Sequence, residues 1–294
     1  MPHLLKNDNL EISIDFPAEG YKSSRFDYTG KITTVMFRGT TIVTTEQLNS
    51  PNEDYLGKGL YNEFGIDSAL GYNEAAKDEW FHKVGVGLLR KDDNIYQFNK
   101  NYEIKLADFN VQTEQHKVII SCKSELVNGY SYYLRKEIKI QESGLKISYF
   151  LENTGVKNIY TTEYNHNFVA INNELVGSSY ELRFPFELQP DKFEESVNPE
   201  NSVECRPNSI FFNKNPTEQF FFSSMNGKVD VPAHWELLNH RHKIGISETG
   251  NFNTEKVNLW GWKHVISSEL FFKISLKPNE TTEWSRTYKF FKTT

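Results

Sequence analysis

Short runs of alternating apolar and polar residues, separated by clusters of Asn, Gly, Pro and Ser, recur along the chain. Leu145, Ile147, Tyr149 and Leu151 alternate with Lys146, Ser148, Phe150 and Glu152, and before them Leu134, Ile138 and Ile140 alternate with Arg135, Glu137 and Lys139. A period of two belongs to a strand with one buried face, and the intervening Gln141-Glu142-Ser143-Gly144 predicts a short hairpin turn. Similar runs predict strands over 11–16, 31–38, 117–123, 159–169, 180–188, 219–224, 243–247, 263–276 and 281–290, and only 62–70 leans towards a helix. Many strands without helical patterns between them predict an all-β chain, a large antiparallel sandwich rather than a parallel α/β sheet. No fixed-period repeat points to a propeller or solenoid. No Pro-rich or Gly/Ser-rich linker divides the chain, so residues 1–294 read as a single domain. The longest irregular stretch, 46–80, is too rich in Tyr, Leu and Phe for a tether; it is a functional loop or contains elements this pattern misses.

Composition narrows the function classes. With 294 residues, 38% hydrophobic and 14% aromatic, the chain has ample material for a packed core. Its 33 Lys and Arg against 39 Asp and Glu give a net charge of -6, with no basic stripe, so no nucleic-acid partner is expected. Apolar stretches such as Val118-Ile119-Ile120 fall far short of the roughly 20 residues a spanning helix needs, so no membrane segment is expected either. The start, MPHLLKNDNLEISIDF, has no apolar signal region, which predicts a cytoplasmic protein. Cys122 and Cys205 show no C-x-x-C and no His at ligand spacing, so neither a metal site nor a disulfide is expected, and both read as ordinary buried thiols.

Two clusters could carry chemistry. Glu163-Tyr164-Asn165-His166-Asn167-Phe168 interrupts a strand pattern with two Asn residues, a type depleted in strands. It is either a polar edge or bulge, or a proton-transfer His on a sheet face held by Asn and Tyr neighbours. Further on, Trp260-Gly261-Trp262-Lys263-His264 leads into a run in which Ile266, Leu270, Phe272, Ile274 and Leu276 form an apolar row. Glu269 has the opposite parity and points away from that row. A strand Glu is ordinarily solvated. Aromatic rings beside a carboxylate, however, are how sugar-stacking clefts are furnished, and desolvation there would raise the carboxyl pKa. Lys136 shares the parity of Leu134, Ile138 and Ile140, which predicts a β-bulge or a cleft residue.

The run 130–172, YSYYLRKEIKIQESGLKISYFLENTGVKNIYTTEYNHNFVAIN, resembles the central region of the aldose 1-epimerase (galactose mutarotase) family, where an apolar strand pair leads through a turn into an Asn-His-x-x-Phe-Asn motif. Here the matching residues are Asn165, His166 and, one position early, Phe168. The run VISSELFFKISLKPNETTEWSRTYKFF is similar to the family's end, where a strand carrying the catalytic Glu is followed by a Pro-Gly-Glu-type turn, here Lys277-Pro278-Asn279-Glu280, and a last strand ending Tyr288-Lys289-Phe290. The second half matches closely and the first half loosely. The resemblance implies a β-supersandwich and a cofactor-independent, metal-free isomerase acting on a small-molecule sugar. His166 would be the general acid on the ring oxygen and Glu269 the general base on the anomeric hydroxyl, so that the ring opens and recloses as the other anomer. It also implies sugar contacts from Asn165, from a loop His, best matched by His82 with Lys83 beside it, and from an Arg, either Arg25 or Arg38, to which the aromatic run before Glu269 adds Trp262 as a stacking surface. Both arginines in the cleft would suit a phosphorylated sugar. The family's additional aspartate has only Asp230 in the right part of the chain.

The irregular N-H-N-F spacing and the absence of the family's His-Gly keep a second class open, a catalytically silent carbohydrate-binding protein on the same fold. A lyase or glycosidase would want a paired carboxylate or a Tyr and basic pair, and no such pair is identifiable. The sequence does not set the oligomeric state.

Overall fold

A computed structural model of the chain describes residues 2–293. The strands Tyr132–Gln141 and Gly144–Asn153 form the expected hairpin, with Leu134 opposite Leu151, Ile138 opposite Ile147, and Gln141 opposite Gly144 closing a two-residue turn. Their apolar members are buried and most of the alternate residues are not, as the period of two requires. This hairpin belongs to a ten-stranded antiparallel sheet, ordered Val203–Arg206, Ser209–Phe212, Tyr180–Arg183, Val231–Asn239, Ile244–Thr254, Thr281–Lys292, Gly144–Asn153, Tyr132–Gln141, Lys117–Lys123 and Asp108–Glu114. The facing sheet runs His3–Lys6, Leu10–Asp15, Lys31–Phe37, Leu60–Phe64, Ile159–Asn167 and Phe272–Leu276, with Thr40–Thr41 paired to Lys31–Phe37. Two smaller sheets complete the structure. One contains Glu195–Val197, Phe220–Ser223, Val257–Trp262 and Val265–Leu270; the other contains Trp80–Lys83, Gly87–Arg90 and Ile104–Leu106. The architecture is the large antiparallel β-sandwich expected, and no helix among the described residues is long and apolar enough to cross a membrane.

Three expectations need correction. Residues 62–70 are not helical: Leu60–Phe64 is a strand paired with residues 163–167, followed by turns. Five residues are too few to display a helical period, and cross-strand pairing outweighs weak local preference. Part of the irregular 46–80 stretch is therefore sheet. Lys136 sits in no bulge. It lies opposite Tyr149 and Ile120 in unbroken register, is buried, and donates from Nζ to Asp27 Oδ2 at 2.8 Å. Cys205 is only half-buried, because Val203–Arg206 is an edge strand, whereas Cys122 is buried as expected.

The strand Ile159–Asn167 is the centre of the structure. Glu163, Asn165 and Asn167 turn inward, where the Thr281–Lys292 strand supplies their partners. Arg286, wholly buried, donates to Glu163 through Nε at 3.1 Å and Nη2 at 2.7 Å, to Glu248 Oε1 through Nη1 at 2.5 Å, and to the Leu270 carbonyl at 2.8 Å. Trp284 and Trp235 donate their indole N–H groups to Glu163 and Glu248, each at 2.9 Å, and Asn62 donates to Glu163 as well. The core thus holds two carboxylates around one guanidinium, with every oxygen engaged. Removing the cation leaves both acids uncompensated, and breaking a buried pair costs about 3–5 kcal/mol. Arg286→Met should lower unfolding stability by that order in urea titration, and removing one of the two uncompensated acids with Glu163→Gln in the same chain should recover part of it.

Candidate active site

Alternation places the neighbours of the inward residues on the opposite face, so Tyr164 and His166 turn outward, with Phe168 beyond the strand end beside them. On the adjoining run Ser267, Glu269 and Phe271 turn to the same side. His166 Nε2 lies 3.4 Å from Glu269 Oε1, and the two residues are 4% and 3% exposed. Ser267 Oγ donates to Glu269 at 3.3 Å, while His166 Nδ1 has no protein partner. The imidazole is stacked on Phe168, with centroids 4.2 Å apart and planes at 10°, and meets the edges of Trp260 at 5.2 Å and Phe26 at 6.0 Å.

This apolar enclosure explains the protonation of the pair. Burial pushes the Glu269 carboxyl up to about 8, the nearby Arg25 charge opposing the shift only in part. Burial also holds the His166 imidazolium well below its ordinary range, and Arg25 adds to that. Near neutral pH the pair therefore holds one proton, resident on the carboxyl.

A second cluster lies beside the pair. Glu63, on the outward face of Leu60–Phe64, accepts from Arg25 Nε at 2.8 Å, Lys83 Nζ at 3.1 Å and the Tyr164 hydroxyl at 2.6 Å. Burial works against its charge, yet Lys83 and Arg25 outweigh it and keep the carboxyl below the usual range. Lys83 also donates to the Tyr96 hydroxyl at 3.0 Å. Arg25 lies 3.7 Å from Glu46 and is sandwiched between the rings of Phe26 and Phe98.

The structure thus brings together His166, Glu269, Arg25 and Lys83, and separates the other expected residues. His82 alternates with Lys83 and points the other way: its Nε2 meets the Val127 carbonyl at 3.3 Å, its ring lies near Tyr130 and Tyr132, and burial lowers its pKa to about 4. Arg38 occupies an exposed turn with φ 48°, where it donates to Asn9. Asn165 is in the interior, bonded to Tyr149 and Tyr288. Trp262 is directed to the Thr217 carbonyl, and Trp260, two residues earlier, is the indole against His166. Asp230 is exposed and pairs with Asn253. Glu63 is not among the expected site residues, because the helical lean of 62–70 obscures the period of two over 60–64 that sets Tyr61 and Glu63 on one face. Among the described residues no group of three or more His, Cys, Asp or Glu is arranged to hold a metal ion.

Solved structures share this architecture. A "putative aldose 1-epimerase" from Escherichia coli K12 aligns with TM-score 0.63 and 9% identity over 99% of both chains. A galactose mutarotase related enzyme from Lactobacillus acidophilus aligns with TM-score 0.60 and 12% identity over 100% of this chain and 98% of that one. A galactose mutarotase-like protein from Lactobacillus casei ATCC 334 gives TM-score 0.57 and 11% identity over 99% and 100%. The chain therefore has the galactose mutarotase-like fold. No family model and no curated protein sequence matches it.

Gly57 is required by the packing around His166. A Cβ there would lie 2.3 Å from Phe168 Cζ and 2.8 Å from Phe26 Cε2, in the two rings that flank the imidazole. Gly57→Ala should therefore destabilise the chain by about 1–3 kcal/mol in thermal or urea unfolding, through overpacking.

Proposed function

We propose that the chain is a cofactor-independent isomerase of the aldose 1-epimerase type, interconverting the α and β anomers of a sugar. The observation that carries the reading is the His166–Glu269 pair, an acid and a base in contact at 3.4 Å inside an aromatic enclosure on a mutarotase-like fold. The sugar enters between them, taking the place of their direct contact. Glu269, as carboxylate, takes the proton of the anomeric hydroxyl while His166, as imidazolium, protonates the ring oxygen. The C1–O5 bond breaks, the open aldehyde rotates about C1–C2, and the reverse transfers close the other anomer. Proton count is conserved throughout, and the single proton of the resting pair is what the cycle needs; sugar binding moves it from Glu269 to His166. Arg25 and Lys83 are already matched by Glu63 and Glu46, and Arg38 is elsewhere, which supports a neutral sugar over a phosphorylated one.

The direct test is anomer exchange followed by NMR with freshly dissolved α-glucose and α-galactose. Acceleration is expected, with His166→Asn and Glu269→Gln each losing about 10²–10⁴ in rate, the usual contribution of a positioned proton-transfer group. A protein that binds these sugars without accelerating exchange would instead be a silent carbohydrate-binding protein.

The pH profile carries a second expectation. Activity requires one proton on the pair, and it falls when that proton leaves or a second arrives. Glu269 gives the upper limit at about 8, and His166, held down by burial, sets a lower limit well below its ordinary range. The profile of kcat/KM should be flat through neutrality and fall above about pH 8, with limits that belong to the pair jointly. A profile that falls between pH 7 and 6 would contradict it. This reverses the simplest assignment, in which the carboxylate sets the acid limb and the imidazolium the alkaline one.

A further inference from the structure

The acid–base pair lies in an interruption of the sheet. Ile159–Asn167 pairs with Phe272–Leu276 as far as Glu163 opposite Phe272, and the two runs meet again where Val169 and Ile266 exchange backbone bonds of 3.1 and 3.0 Å. Between these points the described residues share no ladder: 163–167 pairs on its other side with Leu60–Phe64, and Val265–Leu270 pairs with Val257–Trp262. Continuing the register from either end gives one result, with His166 opposite Glu269, Asn167 opposite Ser268 and Asn165 opposite Leu270. Alternation from Val169 and Ile266 makes the last two the positions that would exchange backbone bonds. It makes His166 and Glu269 the intervening kind, at which side chains approach most closely.

Polar groups take up the backbone sites that the missing ladder leaves. Asn167 Nδ2 donates to the Ser268 carbonyl at 2.7 Å and Arg286 Nη2 to the Leu270 carbonyl at 2.8 Å. The Asn167 N–H goes to Ser267 Oγ at 3.0 Å. Ser267 is wholly buried, and its hydroxyl has one proton to place. An N–H cannot accept it, so it is directed to Glu269 Oε1 at 3.3 Å, the same oxygen that lies 3.4 Å from His166 Nε2. The titratable groups that face Glu269 are His166 and Tyr164 on Ile159–Asn167, Glu63 on Leu60–Phe64, Arg25 and Lys256; Arg25 and Lys256 favour the carboxylate and Glu63 opposes it. Among the described residues Ser267 is the one hydrogen-bond donor to that carboxyl.

We propose that Ser267 is the positioning residue of the acid–base pair. On one side its hydroxyl stands in for a backbone carbonyl of the missing ladder; on the other it aims its proton at Glu269 Oε1. It thereby fixes which oxygen of the acid meets His166, and steadies the negative charge left there when the proton moves to the imidazole. That proton transfer rests on the anomer-exchange reading above, whereas the aim of the hydroxyl rests on the interrupted ladder.

The experiment follows the Glu269 carboxyl directly, through the infrared C=O stretch of its protonated form, identified by its absence in Glu269→Gln. In the unaltered chain the band should disappear with a midpoint at about pH 8. Ser267→Ala removes the donor and should raise that midpoint by about one pH unit, which is about tenfold in the proton equilibrium. Ser267→Cys keeps an acceptor for the Asn167 N–H but is a much weaker donor, so it should raise the midpoint as well, and Ser267→Thr, which keeps the hydroxyl, should restore it. If the chain accelerates anomer exchange, Ser267→Ala should also carry the alkaline limit of kcat/KM upward with the midpoint and lower kcat about tenfold. A midpoint that does not move in the folded Ala or Cys variant, or loss of folding in both, would reduce Ser267 to a structural residue and overturn the proposal. A raised midpoint in a chain that exchanges no anomers would uphold the role of Ser267 and overturn the epimerase reading instead.

Discussion

The buried guanidinium of Arg286 is the constraint on which the remaining geometry depends. It fixes Glu163 from one side of the sandwich and Glu248 from the other strand that flanks its own, and so sets how the Ile159–Asn167 strand seats on the ten-stranded sheet. Because successive residues of a strand face opposite ways, fixing Glu163, Asn165 and Asn167 inward also fixes Tyr164 and His166 outward. A slip of one residue would exchange the two sets, placing His166 in the core and Glu163 at the site. Polar groups in the interior therefore act here as register marks, a use of buried polarity that a purely apolar row could not provide, since Val, Ile and Leu pack nearly as well one pleat along.

The outward set acquires its chemistry from exclusion of water. Phe26, Phe168 and Trp260 surround the imidazole and Glu269 is itself buried. Neither group can carry its charge cheaply in that enclosure, so they share a single proton. The second cluster behaves in the opposite way. Glu63 is just as buried, yet two cations and a phenol hold it ionised. Two carboxyls, on strands that both neighbour Ile159–Asn167, thus end in different protonation states, one set by desolvation and the other by charge partners.

The sandwich, the central hairpin and the His166–Glu269 pairing were legible because they rest on strict alternation and on two motif-bearing runs. Parity alone put Glu269 off the apolar row, and the structure shows what then surrounds it. What the sequence did not disclose were contacts made by short or edge elements. Glu63 lies on a five-residue strand whose pairing partner is a hundred residues away. The strands Asp108–Glu114 and Val203–Arg206 are sheet edges, exposed enough to blur the apolar alternation. Lys136 reads as a bulge or a cleft residue because its partner, Asp27, comes from a segment with no strand signal. His82 and Lys83 are neighbours in sequence but occupy opposite faces, and only the direction of their strand decides which one reaches the site.

The place of the Thr281–Lys292 strand in the ten-stranded sheet bears on how the molecule is made. It is sixth in spatial order, between Ile244–Thr254 and Gly144–Asn153, although it is the last strand in chain order among the described residues. During synthesis the two halves of that sheet emerge well before the strand that joins them, each presenting an unpaired central edge. Glu163 precedes its cation by 123 residues and Glu248 by 38. Such edges are open to pairing with the wrong chain. A single late segment accordingly completes the sheet, the buried cluster around Arg286 and the seating of the site strand together.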